Sequence, residues 1–182
     1  MAARESPKLL AGVRIPPGLH FKLIMETTGD LFPEYTPEAE IVEPHPLYLK
    51  ILHPVRRTKP GRVLFTSWPM GKESRAVVEP VFSYTVYIEP NQLAGNHFHK
   101  KKAEILVLLG KGEIHLEDPE TKEADVVTVE NDPRTKDVIE LIAIREGVAH
   151  TVKNTSEEET LQLLVLANTS EMGPDDFEYK VI

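Results

Sequence analysis

An all-β chain folded as a sandwich or barrel is what the sequence predicts, on three observations. From Ser83 onward, strand-sized apolar segments follow one another at close spacing: "SYTVYIE", "EILVLLG", "GEIHLED", "DVVTVE", "DVIELIAI", "HTVKN" and "TLQLLVLAN". Turn-forming stretches divide them: "EPNQLAGN", "DPETKEA", "ENDPRTK" and "NTSEEE". No segment sustains a helical period, and short strands with frequent turns are the pattern of closed or double-sheet β architectures.

The first half is broken by Pro16, Pro17, Pro33, Pro37, Pro44, Pro46, Pro54 and Pro60. Between them lie "HFKLIME", "LYLKILH" and "RVLFTSW", each short enough for a single strand. These pieces are too broken to bury a core of their own. Residues 1–70 are therefore expected to be an N-terminal extension packing on the barrel, with the barrel itself over 71–182. The closing "PDDFEYKVI" reads as a short final strand or a loose tail.

With 41% hydrophobic residues in 182, the chain has material for one core. A net charge of −8 with no large basic block argues against nucleic acid as the main partner. No segment approaches the roughly 20 apolar residues of a membrane span, and the N-terminus lacks the apolar run of a signal peptide. A soluble, cytoplasmic protein with a small-molecule substrate or ligand is expected, touching neither nucleic acid nor membrane. Strand-like pieces in 1–70 that are unstable alone, beside exposed sheet edges, predict a homodimer. There are no cysteines, so disulfides, thiolate nucleophiles and sulfur ligands are excluded.

Any metal must then be held by His, Asp or Glu, and "GNHFHKKKAEILVLLGKG" concentrates such residues. His97 and His99 are two apart, so on a strand they project together while Phe98 points away. Glu104 opens the next strand after a bend at Lys100–Ala103, and three ligands from one hairpin-like unit would converge. His150, after Gly147 in "EGVAHTVKN", is a fourth candidate. A lone His-x-His on a strand usually serves packing or the surface. The weight lies in the combination with Glu104, a glycine-bounded turn, and Gly-x-x-His-x-x-x-Asn some forty residues on. Such a set suits Fe, Mn, Co, Ni or Zn with open positions.

That combination resembles the cupin superfamily over roughly residues 80–168. Its first motif, His-x-His followed by Glu and then Gly, reads here His97, His99 and Glu104, with Gly110 and Gly112 flanking the expected glycine. Its second motif reads "REGVAHTVKN", with Gly147, His150 and Asn154 in place and Arg145 where the family has proline. Asn91 stands where a glycine usually precedes the first histidine by six positions. The resemblance implies a double-stranded β-helix, the jelly-roll barrel, binding one divalent metal (Fe, Mn, Ni, Co or Zn) through His97, His99, Glu104 and His150.

Other side chains are weighed for chemistry. Tyr84, His115 and Glu140 are candidate catalytic residues. Tyr84 and Tyr87 lie on opposite faces of one strand, so at most one reaches a cavity. His115 is exposed if Ile114 and Leu116 face the core. Glu140 interrupts an apolar strand and faces either water or the metal cavity. Lys100, Lys101 and Lys102 are either a solvated turn or a clamp for an anionic substrate. Arg56 and Arg57 are a solvated pair or an anion site. Three functions stay open: a metal-dependent isomerase or epimerase on a small anionic or sugar-derived substrate, an iron-dependent dioxygenase, and a non-catalytic metal- or ligand-binding module. "GNHFHKKKAE" is similar to the corresponding stretch of cupin domains acting on sugar nucleotides, which favours the first.

Overall fold

A computed structural model describes residues 40–59, 62–64, 78–170 and 175–182, with the side chains of 40–44, 56–59 and 62–64 outside the description. "HFKLIME", the end of "RVLFTSW" and the side chains of Arg56 and Arg57 therefore lie outside the described residues. The described elements are all strands: β1 (Glu40–Pro44), β2 (Tyr48–Pro54), β3 (Arg56–Lys59), β4 (Arg62–Leu64), β5 (Phe82–Ile88), β6 (Leu93–Phe98), β7 (Glu104–Glu117), β8 (Ala124–Asn131), β9 (Val138–Ile144), β10 (Ala149–Asn154), β11 (Leu161–Ala167) and β12 (Phe177–Glu178). Every recorded pairing is antiparallel.

The 14-residue β7 organises the fold. Its first half pairs with β9 and β11, and its second half with β8 and β10. One sheet therefore runs β1-β2-β9-β7-β11-β5 and the other β8-β7-β10-β6-β12, which is the double-sheet jelly roll. Gly110, with φ of 132°, sits where β7 passes from one layer to the other. A side chain there would enter the left-handed half of backbone space and meet Leu161. The hairpin of β3 and β4 is separate.

Between the sheets, Leu106, Leu108, Ile142, Leu163 and Val165 of one layer meet Ile114, Leu116, Val127, Val129 and Val152 of the other. The first sheet is apolar on its second face as well, where Ile51, Ile105, Val107, Ile139, Leu141 and Ala143 are all fully buried. This double burial explains why "EILVLLG" and "DVIELIAI" read as continuous apolar runs instead of alternating, since a strand covered on both faces has no side left for water. β2, from the proline-broken region, pairs with β9 along its whole length, Tyr48↔Ile144 through Pro54↔Val138.

Two asparagines with positive φ precede the histidine pair. Asn91 takes φ of 59°. It stands where the family resemblance expects glycine, and asparagine is among the non-glycine residues that tolerate this region best. Asn96, with φ of 65°, is the extra residue of a bulge: His97 pairs with His150 while Gly95 pairs with Thr151. Such a bulge re-aims the next side chain, here His97.

Candidate metal centre

Parity places the site between the sheets. Glu104 shares the inward face of β7 with Leu106 and Leu108, and His150 shares that of β10 with Val152. The bulge at Asn96 sets His97 opposite His150 in the register. His99 follows β6 directly, and its carbonyl accepts the Gly147 N–H at 2.6 Å, which ties the first histidine pair to the turn before the third histidine. As a result, His97, His99 and His150 each offer a ring nitrogen within 4.8 Å of the others. No other such cluster is present among the described residues. The rings of His97 and His150 meet edge-on with centroids 4.8 Å apart.

Glu104 stands beside them, 2% exposed. One carboxylate oxygen, Oε2, lies 3.3 Å from His150 Nε2. The other, Oε1, lies 3.8 Å from His99 Nε2 and 3.2 Å from Lys102 Nζ, and accepts the Tyr84 hydroxyl at 3.1 Å. Burial alone would raise this carboxyl. The hydrogen bond and charge of His150, with Lys102, outweigh it and hold Glu104 down to about 2, so it is an anion at neutral pH. Burial, joined by the charge and hydrogen bond of Glu104, pushes the Tyr84 phenol above its ordinary range, so Tyr84 stays protonated. Burial lowers His97 to about 4, and His150 adds to the effect. Burial lowers His99 as well. Both rings are neutral at pH 7, the form a metal requires.

The second nitrogen of every ring is engaged. His99 Nδ1 lies 2.8 Å from the Asp175 carbonyl, His150 Nδ1 lies 3.1 Å from the Val148 carbonyl, and His97 Nδ1 lies 3.1 Å from Asp176 Oδ1. Carbonyl and carboxylate oxygens only accept, so in the neutral rings of His97 and His99 the proton sits on Nδ1 and the lone pair on Nε2, whereas His150 also faces the Glu104 carboxylate through its Nε2. Buried His99 Nε2 has no hydrogen-bond partner. The Nε2 lone pairs of His97 and His99 beside the Glu104 carboxylate repel unless a cation stands among them. The donor set fits a divalent transition metal, and the carbonyl and carboxylate partners are those that orient metal-bound imidazoles.

A cavity of about 220 Å³ opens on this cluster. Tyr84, His97, Lys102, Glu104, His150 and Asp176 supply its polar wall. Val86, Leu106, Val152, Leu163 and Val165 supply the apolar one. Larger surface grooves, of about 500 and 670 Å³, contain no histidine.

The other candidates are distributed differently. Tyr84 reaches the cavity, while Tyr87, on the opposite face of β5, is 66% exposed. His115 alternates with the buried Ile114 and Leu116, and pairs with Glu113 at 3.0 Å on the outer face of β7. Glu140 lies four residues along β9 from Ile144, the partner of Glu104, and hence about 13 Å away at 3.3 Å per residue. It bonds Lys50 at 2.9 Å. Neither His115 nor Glu140 lines the cavity. The lysine run divides: Lys102 is buried against Glu104, and Lys100 lies 4.5 Å above the Phe177 ring. Asp175 and Asp176 had no signal in the sequence, because their contacts span more than 70 residues.

Among solved structures, the chain is similar to a dTDP-4-dehydrorhamnose 3,5-epimerase from Sulfolobus tokodaii, at 12% identity and a TM-score of 0.61, covering 76% of this chain and 80% of that one. It is similar to a variant of the 3,4-ketoisomerase QdtA from Thermoanaerobacterium thermosaccharolyticum in complex with TDP-4-keto-6-deoxyglucose, at 20% identity and a TM-score of 0.53, covering 74% and 88%. These likenesses show the jelly-roll fold. The capsular polysaccharide assembling protein CapF of Staphylococcus aureus is 23% identical with a TM-score of 0.48 over 54% of this chain, which spans only 27% of that protein's length. No curated protein sequence matches the chain. The model of the polysaccharide biosynthesis C-terminal domain matches residues 75–176, more than half the chain and the stretch that holds all three histidines, Glu104 and both aspartates, and the chain belongs to that family.

Proposed function

We propose that the chain is a metal-dependent isomerase or epimerase acting on the sugar part of a nucleotide-linked keto sugar. The observation that carries this reading is the convergence of three histidine nitrogens beside the Glu104 carboxylate, at a cavity whose wall includes His97, His150 and Glu104. His97, His99, His150 and Glu104 would hold one divalent transition metal, of the Fe, Mn, Ni, Co or Zn class. When bound, the metal would polarise a substrate carbonyl as a Lewis acid.

The chain's own residues supply the rest. Tyr84, kept protonated beside Glu104, is a proton donor at the cavity wall. Lys102 holds Glu104 in place and keeps it anionic. The apolar wall excludes water and suits the C–H face of a deoxysugar. At about 220 Å³ the cavity falls below the roughly 300–1,000 Å³ of a site for a whole drug-sized ligand. It takes one sugar ring and leaves a nucleotide outside. The family's description and the sugar-nucleotide enzymes among the similar folds support this substrate class.

The test is proton exchange. In deuterium oxide and without oxygen, the metal-loaded chain should wash deuterium into the positions next to the carbonyl of TDP-4-keto-6-deoxyglucose or a related keto sugar, read by proton NMR. The chelated chain should not. A sample carrying one metal per chain that exchanges none of a panel of such sugars would overturn the reading.

A further inference from the structure

The segment Asp175–Ile182 is tied to the site in more ways than a short terminal strand needs. The Asp175 carboxylate accepts the N–H groups of Lys100, Lys101 and Lys102 at 3.0, 2.9 and 3.0 Å, three of the four in the turn between His99 and Glu104. Its carbonyl receives His99 Nδ1. The next residue, Asp176, receives His97 Nδ1 through its side chain. Phe177 pairs with Phe98 in the register and stacks on its ring at 5.2 Å, between the two histidines in sequence. Farther along, the Tyr179 N–H donates to the Asn96 carbonyl at 2.8 Å, and Val181 N–H donates to Asn96 Oδ1 at 2.9 Å. Asn96 is the bulge residue that aims His97, so both ends of the segment grip the same short stretch of β6.

We propose that this segment is a positioning strap for the histidine cluster: Asp176 fixes the tautomer and angle of His97, and Asp175 fixes those of His99 by anchoring its own carbonyl to the Lys100–Lys102 turn. An imidazole without a partner on Nδ1 is free to carry its proton on Nε2, which removes the lone pair from the cavity. The strap prevents this on two of the three rings. His150 does not depend on it: its Nδ1 meets the Val148 carbonyl, two residues away on the same turn, and its Nε2 faces Glu104. The division explains why β12 is only two residues long yet tightly held. Its role is to deliver two acceptors, and little sheet is needed for that. The proposal rests on the metal reading of the site, and its first readout is independent of metal.

That readout is nitrogen-15 NMR of the histidine rings in the full chain at neutral pH without metal. His97 and His99 should carry the proton on Nδ1 in the parent. In Asp176→Ala, His97 should shift toward the Nε2–H form while His99 keeps its tautomer. Asp176→Asn should restore His97, because an amide oxygen also accepts. Asp175→Ala should disturb His99. The second readout is cobalt(II) affinity by visible absorption. It should fall about 10–100-fold in Asp176→Ala, the usual cost of losing a ring-orienting acceptor, and recover in Asp176→Asn. Tyr179→Phe, which breaks the strap's bond to Glu117 without touching either ring, should leave both readouts as in the parent. Unchanged tautomers in Asp176→Ala and Asp175→Ala would overturn the strap, whether or not metal binds. So would an equal loss of affinity in Tyr179→Phe, since that would mean a general loosening. A parent chain that shows the expected tautomers but takes up no cobalt would sink the metal reading and leave the strap standing.

Discussion

Glu104 is the residue on which the site turns, since one buried carboxylate meets His150, His99, Lys102 and Tyr84. A carboxylate this deep is affordable only when its charge is met from several sides. Tyr84 is the least constrained member: its hydroxyl touches Glu104 and the cavity, and no ring nitrogen depends on it. Tyr84→Phe should therefore keep the parent's metal content, measured by elemental analysis. If Tyr84 is the proton donor, turnover or deuterium wash-in should drop about 10²–10⁴-fold. Loss of metal together with activity would instead make Tyr84 part of the metal's support.

At the scale of elements, the β6–β10 ladder carries the site, because the bulge at Asn96 sets His97 against His150. Gly95 makes this possible. Its φ is 115°, and a Cβ there would meet the His150 carbonyl oxygen at 2.7 Å and the Thr151 Cα at 3.0 Å, both backbone atoms. Nothing flexible can give way. Gly95→Ala should cost about 2–4 kcal/mol in denaturant unfolding, from left-handed strain plus the clash. It should also weaken metal binding, since relief requires β6 to move away from β10. An alanine variant with parent stability and parent cobalt affinity would show that the bulge is adaptable. Gly147, with φ of 85° and open space where a Cβ would go, is a milder case in which only the backbone conformation resists substitution.

At the scale of the whole molecule, the site makes the metal-free chain acid-sensitive. His97 titrates at about 4 in the folded chain against an ordinary 6.5, so the unfolded chain binds that proton more readily. Its contribution is complete above pH 6.5 and is lost as pH falls from 6.5 toward about 4. Glu104, at about 2 against 4.5, contributes stability that is present above pH 4.5 and lost as pH falls from there toward about 2. Unfolding free energy of the chelated chain should decline continuously from pH 7 downward, and His97→Gln should flatten the part between 6.5 and 4. A parent curve level across that range would contradict the assignment. Metal acts in the other direction: a divalent ion at 100 times its dissociation constant should add about 2.7 kcal/mol to unfolding. A melting temperature indifferent to cobalt or zinc at saturating concentration would count against a site formed only in the folded chain.

The sequence by itself determined the all-β class, the succession of short strands beyond Ser83 and the concentration of His97, His99, Glu104 and His150, because strand parity and turn residues act locally and leave a local pattern. It also indicated that Tyr84 and Tyr87 point opposite ways. Only the tertiary structure decided which inward-facing residues share a level. Glu140 has the right parity but the wrong height along β9, and His115 the wrong face of β7. Double burial of one sheet erased the alternation by which faces are usually told apart, and the lysine run gave no sign that Lys102 turns inward while Lys100 lies over Phe177. Asp175 and Asp176 were invisible for the same reason at longer range. The partners they orient lie 70 or more residues earlier in the chain, and such contacts exist only once both sheets have closed around the cavity.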